Sequence, residues 1–139
     1  MAAADLALVD ALGQMSFRVT AVLTKLGAAH DLSLTQVRVL GILRDRKPRM
    51  SELAEHLGLD RSTVSGLIDR AAERGLVERF PDPDDRRVAR VRMTAQGRHL
   101  ASGFEAEAAA DLEHLVTALS AAERRTLRTL LEAALAEER

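Results

Sequence analysis

Six apolar residues near the start of the chain, Leu8, Leu12, Met15, Val19, Val22 and Leu26, recur at steps of three or four. That is the spacing of one face of an α-helix. The residues around them, from about 4 to 30, are rich in Ala and Leu and read as one continuous helix. At 1.5 Å per residue it spans roughly 40 Å. A globule built from 139 residues is narrower than that. Part of the stripe is therefore expected to pack on another chain.

After it, local signals divide the chain into short elements. Ser33 and Gln36 form a capping box for a second helix, which buries Val37, Leu40 and Leu43 and stops near Arg46, ahead of Pro48. Ser51 is the expected cap of a short third helix, Glu52 to Leu57, with Leu53, Ala54 and Leu57 inward and Gly58 as a left-handed stop. Asp60 caps a fourth helix that runs to about Arg74 and is closed by Gly75. Its inward face is Val64, Leu67, Ile68 and Ala71. Its outward face is Arg61, Ser62, Thr63, Ser65, Gly66, Asp69, Arg70 and Glu73.

The period then changes. Leu76 to Phe80 and Val88 to Met93 are β-rich runs on either side of a charged turn, Pro81 to Arg87. Thr94 caps a fifth, long helix to about Leu119, with Leu100, Phe104, Ala108, Leu112 and Leu115 along one stripe. Ser120 and Glu123 form a second capping box and open a sixth helix with Leu127, Leu130, Leu131 and Leu135 on its apolar face. The expected fold is mainly α with a small β-hairpin, a winged helix-turn-helix with long helical dimerisation elements. One domain is expected over 1–139, with about 34–93 as a DNA-binding lobe and about 4–30 and 95–137 as dimerisation helices.

A helix that reads duplex DNA buries one side and presents short hydrogen-bonding side chains on the other. Ser62, Thr63, Ser65 and Gly66 meet that requirement. A mid-helix glycine costs about 1 kcal/mol relative to alanine. Gly66 either permits close approach to DNA or relieves crowding against a neighbouring helix. Arg86 and Arg87, at the tip of a narrow hairpin, can enter the negative minor groove. Asp84 is placed to orient one of them, with Arg79 and Asp69 as further partners. The plainer reading of such a tip is a solvated turn.

Charge agrees in its distribution rather than its sum. The net charge is −1, but Arg38 to Arg98 carries 14 Lys+Arg against 10 Asp+Glu, a balance of +4, and the remainder carries 6 against 11, a balance of −5. A basic middle between acidic ends is the footprint a DNA-binding lobe needs. There is no cysteine, which excludes disulfides, zinc thiolate sites and thiol chemistry. With only three aromatic residues, Phe17, Phe80 and Phe104, the chain is poorly equipped to stack single-stranded bases.

The ordered set Leu53-Ala-Glu-His-Leu-Gly-Leu-Asp-Arg-Ser-Thr-Val-Ser65, Asp69-Arg70, Gly75-Leu-Val-Glu-Arg79 and Asp82-Pro-Asp-Asp-Arg-Arg87 resembles the MarR (multiple antibiotic resistance regulator) family. Leu34-Thr-Gln36 and Thr94-Ala-Gln-Gly97 fit the same pattern, so the resemblance runs the whole chain. It implies a triangular homodimer built on the first, fifth and sixth helices, repressing transcription from a pseudo-palindromic double-stranded operator with half-sites about one turn apart. Carried over, Ser62, Thr63, Ser65 and Gly66 line the major groove, Arg86 is the wing-tip residue, and Ser51, Arg61 and Arg70 contact phosphates. The resemblance also implies release of DNA by a small aromatic or anionic effector. Arg18, among Met15, Phe17, Val19 and Val22, could anchor such a ligand, or could face solvent or pair with a carboxylate. Without cysteine or tryptophan the chain departs from the peroxide-sensing branch and from the urate-responsive one.

His30, His56, His99 and His114 form no i, i+4 pair, so neither a metal site nor a cofactor is expected. His30 suits the C-terminal end of the first helix as a favourable charge. No set of nucleophile, base and orienting group converges, and the chain is not expected to be an enzyme. The N-terminus lacks the basic start of a signal peptide, no uncharged apolar run is long enough to span a bilayer, and a cytoplasmic protein without membrane contact is expected. The alternative is a winged-helix module for protein–protein contact. Apolar or acidic residues on the outer face of the fourth helix and the wing would mark it, where this chain has arginine, serine and threonine.

Overall fold

The computed structural model of the chain describes residues 3–136. Position 137, the end of the expected C-terminal helical range, lies outside the described residues, as do 1–2 and 138–139. The elements run α1 (Leu6–Ala29), α2 (Leu34–Leu43), α3 (Met50–Leu57), α4 (Arg61–Glu73), β1 (Val77–Pro81), β2 (Ala89–Met93), α5 (Ala95–Glu113), a 3₁₀ turn (His114–Val116) and α6 (Ala121–Ala136).

Most boundaries are set by side chains that accept the first free amides of each helix. Asp5 accepts from Leu8 N–H, Ser33 from Gln36, Asp60 from Thr63 and Thr94 from Gly97. The Ser33/Gln36 and Ser120/Glu123 boxes both close reciprocally. Ser51 does not act as a cap. Helix α3 begins two residues earlier than expected, at Met50, and the free amide of Arg49 is taken by Glu52 Oε1 at 3.2 Å. Gly58 (φ +65°) and Gly75 (φ +74°) take the left-handed conformation that stops α3 and turns the chain from α4 into β1.

The interior gathers where α2, α3, α4 and β2 meet: Leu43, Leu53, Val64, Ile68 and Val91 are essentially excluded from solvent. Burying each such side chain contributes about 1.5–3 kcal/mol. Strands β1 and β2 pair antiparallel from Val77↔Met93 to Pro81↔Ala89. A lone two-stranded hairpin is marginal in water, and this one is supported from two sides. Val77, Val91 and Met93 enter the core, and the segment before α3 joins the sheet edge through an Arg49↔Arg90 bridge and a Val91 N–H to Pro48 C=O bond of 3.0 Å.

Two junctions hold the helices to one another. Arg74, just past α4, donates to the carbonyls of Asp31 (2.8 Å) and His30 (3.1 Å) at the end of α1. The start of α5 lies so close to Leu76 that a Cβ on Gly97 would sit 2.0 Å from the Leu76 carbonyl oxygen. Helix α5 is shorter than expected, ending at Glu113 rather than near Leu119. The Arg124 guanidinium takes the Val116 and Leu119 carbonyls, tightening this stretch into a 3₁₀ turn.

The N-terminal half of α1 and the face of α6 remain uncovered. Leu8, Leu12, Leu130, Leu131 and Leu135 are 45–63% exposed. By length and composition α1 is the one helix among the described residues that could cross a bilayer. Asp10, Arg18 and Lys25 interrupt it, and its last turn is inside the fold, with Leu26 and Gly27 buried.

Candidate nucleic-acid interface

The start of α3, the outer face of α4 and the hairpin enclose a groove of about 540 Å³, lined in part by Ser51, Arg61, Ser65, Asp69, Arg79 and Arg87. Four expected site residues from three separate segments, Ser51, Arg61, Ser65 and Arg87, thus face one concavity. Ser62, Thr63 and Arg70 are exposed on α4 beside it, and Arg86 is exposed at the hairpin tip. Gly66 is half-buried, and a Cβ there would meet only Arg70 Nη1, at 3.4 Å. No neighbouring helix requires its absence, so the crowding explanation finds no support.

The two serines are already polarised. Ser62 Oγ donates to Asp60 Oδ1 at 2.7 Å and leaves its lone pairs outward. Ser65 Oγ accepts from Arg79 Nη2 at 3.2 Å and keeps its proton free to donate. Arg79 is itself fixed by an ion pair with Asp69 across the gap between α4 and β1. The Asp60 carboxyl is held down to about 2, first by the Thr63 amide and then by the Ser62 and Thr63 hydroxyls, so the cap is ionised at neutral pH.

Asp84 does not hold an arginine. Its backbone amide is taken by Asp82 Oδ1 at 2.7 Å, and it is Asp85 that pairs with Arg87, through Nε at 3.1 Å and Nη2 at 3.2 Å. Among the described residues, no carboxylate pairs with Arg86. The residue sequence reasoning missed is Asp82, the buried charged residue of the fold, at 0% exposure. Its one legible signal is local: an Asp ahead of Pro83, placed to accept amides two and three residues on.

A second concavity, of about 440 Å³, lies between α2 and α5. Leu40, Phe104, Ala108 and Leu112 line it, with Arg44 and Glu105 paired at 3.3 Å on its wall. Met15, Arg18 and Val22 do not line it. Met15 and Arg18 are exposed and Val22 is half-covered on α1.

A model of the MarR family matches residues 30–88, the helix-turn-helix and most of the hairpin. The multiple antibiotic resistance protein MarR of Salmonella typhimurium is 31% identical over 104 residues, covering 73% of this chain and 72% of that protein. The chain belongs to the MarR family. The transcriptional repressor NicR of Pseudomonas putida is 34% identical over 84 residues, 60% of this chain and 53% of that protein. Among solved structures, a MarR variant from E. coli complexed with operator DNA aligns with a TM-score of 0.71 at 27% identity, covering 92% of this chain and 93% of that one. The chain spans between 52% and 61% of the length of the first curated relatives it matches. Within this MarR-family fold, α3 and α4 are the helix-turn-helix and β1–β2 is the wing.

Proposed function

We propose that this MarR-family chain is a sequence-specific double-stranded-DNA-binding transcription regulator, a repressor that acts as a cytoplasmic homodimer and has no enzymatic role. The observation that carries the reading is the groove shared by α3, α4 and the wing, where Ser51, Arg61, Ser65 and Arg87 converge. Ser62, Thr63, Ser65 and Gly66 would address base edges, Arg61, Arg70 and Ser51 phosphates, and Arg86 with Arg87 the minor groove. Asp84, with its amide tied down, would serve the wing through its backbone rather than as an arginine partner.

The dimer reading rests on the uncovered stripes of α1 and α6, with residues 34–93 as the DNA-binding lobe. Two lobes held at fixed separation engage both half-sites together, and any change of spacing weakens both. A small, largely apolar effector would act from the cavity between α2 and α5. Arg44 is its cationic handle, already opposed by Glu105, so an anionic ligand has to displace that pair. This moves the effector site away from Met15, Arg18 and Val22.

The test is fluorescence anisotropy on the chain's own upstream intergenic DNA against a scrambled duplex, over a salt series. A preference of about 10³-fold or more is expected. A steep salt slope should accompany it and flatten in Arg86→Ala/Arg87→Ala. Absence of binding to any duplex at low salt would replace this reading with the protein–protein module. Gly66→Ala separates fold from function at one position. It is expected to stabilise the chain by up to about 1 kcal/mol in thermal unfolding while weakening binding to the upstream duplex. Unchanged affinity would remove Gly66 from the interface.

A further inference from the structure

We infer that Asp82 is the positioning residue that fixes the wing relative to the helix-turn-helix, so that the wing-tip arginines are aimed before DNA arrives. This rests on the DNA-binding reading of the groove.

The carboxylate is wholly buried, yet every acceptor site on it is used. Oδ2 accepts from Arg49 Nε and Arg90 Nε, both at 2.8 Å. Oδ1 accepts from the backbone amides of Asp84 at 2.7 Å and Asp85 at 3.3 Å. The Asp82 amide donates across the hairpin to Val88 C=O at 2.8 Å. Three parts of the interface therefore meet on one side chain. Arg49 precedes the first turn of α3, Arg90 belongs to β2, and the 84–85 amides begin the turn that carries Arg86 and Arg87. Arg90 extends the junction through Nη1 to the Lys47 carbonyl at 2.8 Å.

The arrangement is electrostatically consistent. The buried carboxylate faces two guanidinium groups, of which Arg49 is shared with Glu52 at 3.9 Å, and Asp82 stays ionised. Its carboxyl is lowered to about 2, by the Asp84 amide first and then Arg90 and Arg49, against the opposing effect of burial. Such charge-assisted bonds are shorter and stronger than neutral ones, and breaking a buried pair from one side leaves an uncompensated charge. Core side chains and the Pro48 bond hold the base of the hairpin, and Asp82 adds an anchor at the far end of the strands, next to the charged tip. Held by Asp82, the turn backbone that carries Arg86 is ordered during folding, so that part of the entropic cost does not recur on binding.

The experiment is a double-mutant cycle on the 139-residue chain, read by anisotropy on the upstream duplex with thermal unfolding as the control for folding. Arg86→Ala is expected to lower affinity by about tenfold in the wild-type background and by less than about twofold with Asp82→Asn. The same loss in both folded backgrounds would overturn the assignment. A second measurement needs no variant and no DNA: amide hydrogen exchange in the free wild-type chain. The Asp84 and Asp85 amides are expected to be protected at least about 100-fold over an unstructured chain. Exchange at the unstructured rate would overturn the inference even where DNA binding itself is intact, so its failure is separate from that of the functional reading.

Discussion

Leu12→Glu is expected to turn the proposed dimer into a monomer and to lower affinity for the upstream duplex by roughly 10²–10⁴-fold, with no change at the proposed DNA-facing groove. Leu12 lies in the uncovered N-terminal half of α1 and is 53% exposed in the single chain, so a charge there has water to face and the fold is retained. In a dimer the same carboxylate is taken out of water against the partner's apolar surface, where an unpaired charge is strongly unfavourable. Sedimentation should show half the wild-type mass, circular dichroism an unchanged helix content, and anisotropy the lost affinity. A variant that stays dimeric would exclude this stretch of α1 from the interface. A monomer binding as tightly as wild type would remove bivalency from the mechanism.

Gly97→Ala is expected to cost about 3 kcal/mol, or about 10 °C in Tm. The added methyl would stand 2.0 Å from the Leu76 carbonyl oxygen and 2.9 Å from its carbon, and both belong to backbone that cannot rotate away. That backbone is also pinned by the bond from Thr94 N–H to Leu76 C=O at 3.1 Å and by Thr94 Oγ1 donating to Gly75 C=O. Relief would mean lifting α5 from the strand and uncovering the Met93 and Ala101 side of the core. Gly103→Ala in the same helix is the matched control, since nothing lies within 4 Å of its added Cβ. It should leave stability unchanged or raise it by up to about 1 kcal/mol. Equal effects at the two positions would show that close approach is not what Gly97 is for.

These positions also mark what a sequence can disclose. Asp60, Ser33, Ser120 and Thr94 were readable because a cap acts on amides two or three residues away, and the pattern carries its own geometry. Ser51 followed the same rule and misled. The Arg49 backbone is drawn into a bridge with Arg90, 41 residues later, and α3 starts two residues early, directly after it. Asp82 looked like one acid among three at a hairpin tip. Its distinction comes from Arg49, 33 residues upstream, and no local pattern records that pairing. That Asp85 rather than Asp84 pairs with Arg87 is equally hidden, because the order of residues along a turn does not reveal which carboxylate meets the guanidinium. Arg18 among apolar residues on α1 is a local signal for an anionic effector. The cavity between α2 and α5 carries no such signal, because their proximity depends on the tertiary fold.

The hydrogen bonds from Arg74 give α4 a fulcrum. They join the end of that helix remote from Arg61 to the carbonyls of His30 and Asp31, just past α1. Thirteen residues separate fulcrum from tip, a lever of about 20 Å. A tilt of about 5° at that joint would sweep the Arg61 end through about 2 Å, more than half the rise between successive base pairs. A displacement too small to disturb any packed side chain near α1 would thus arrive at the DNA as about half a base-pair step of misalignment.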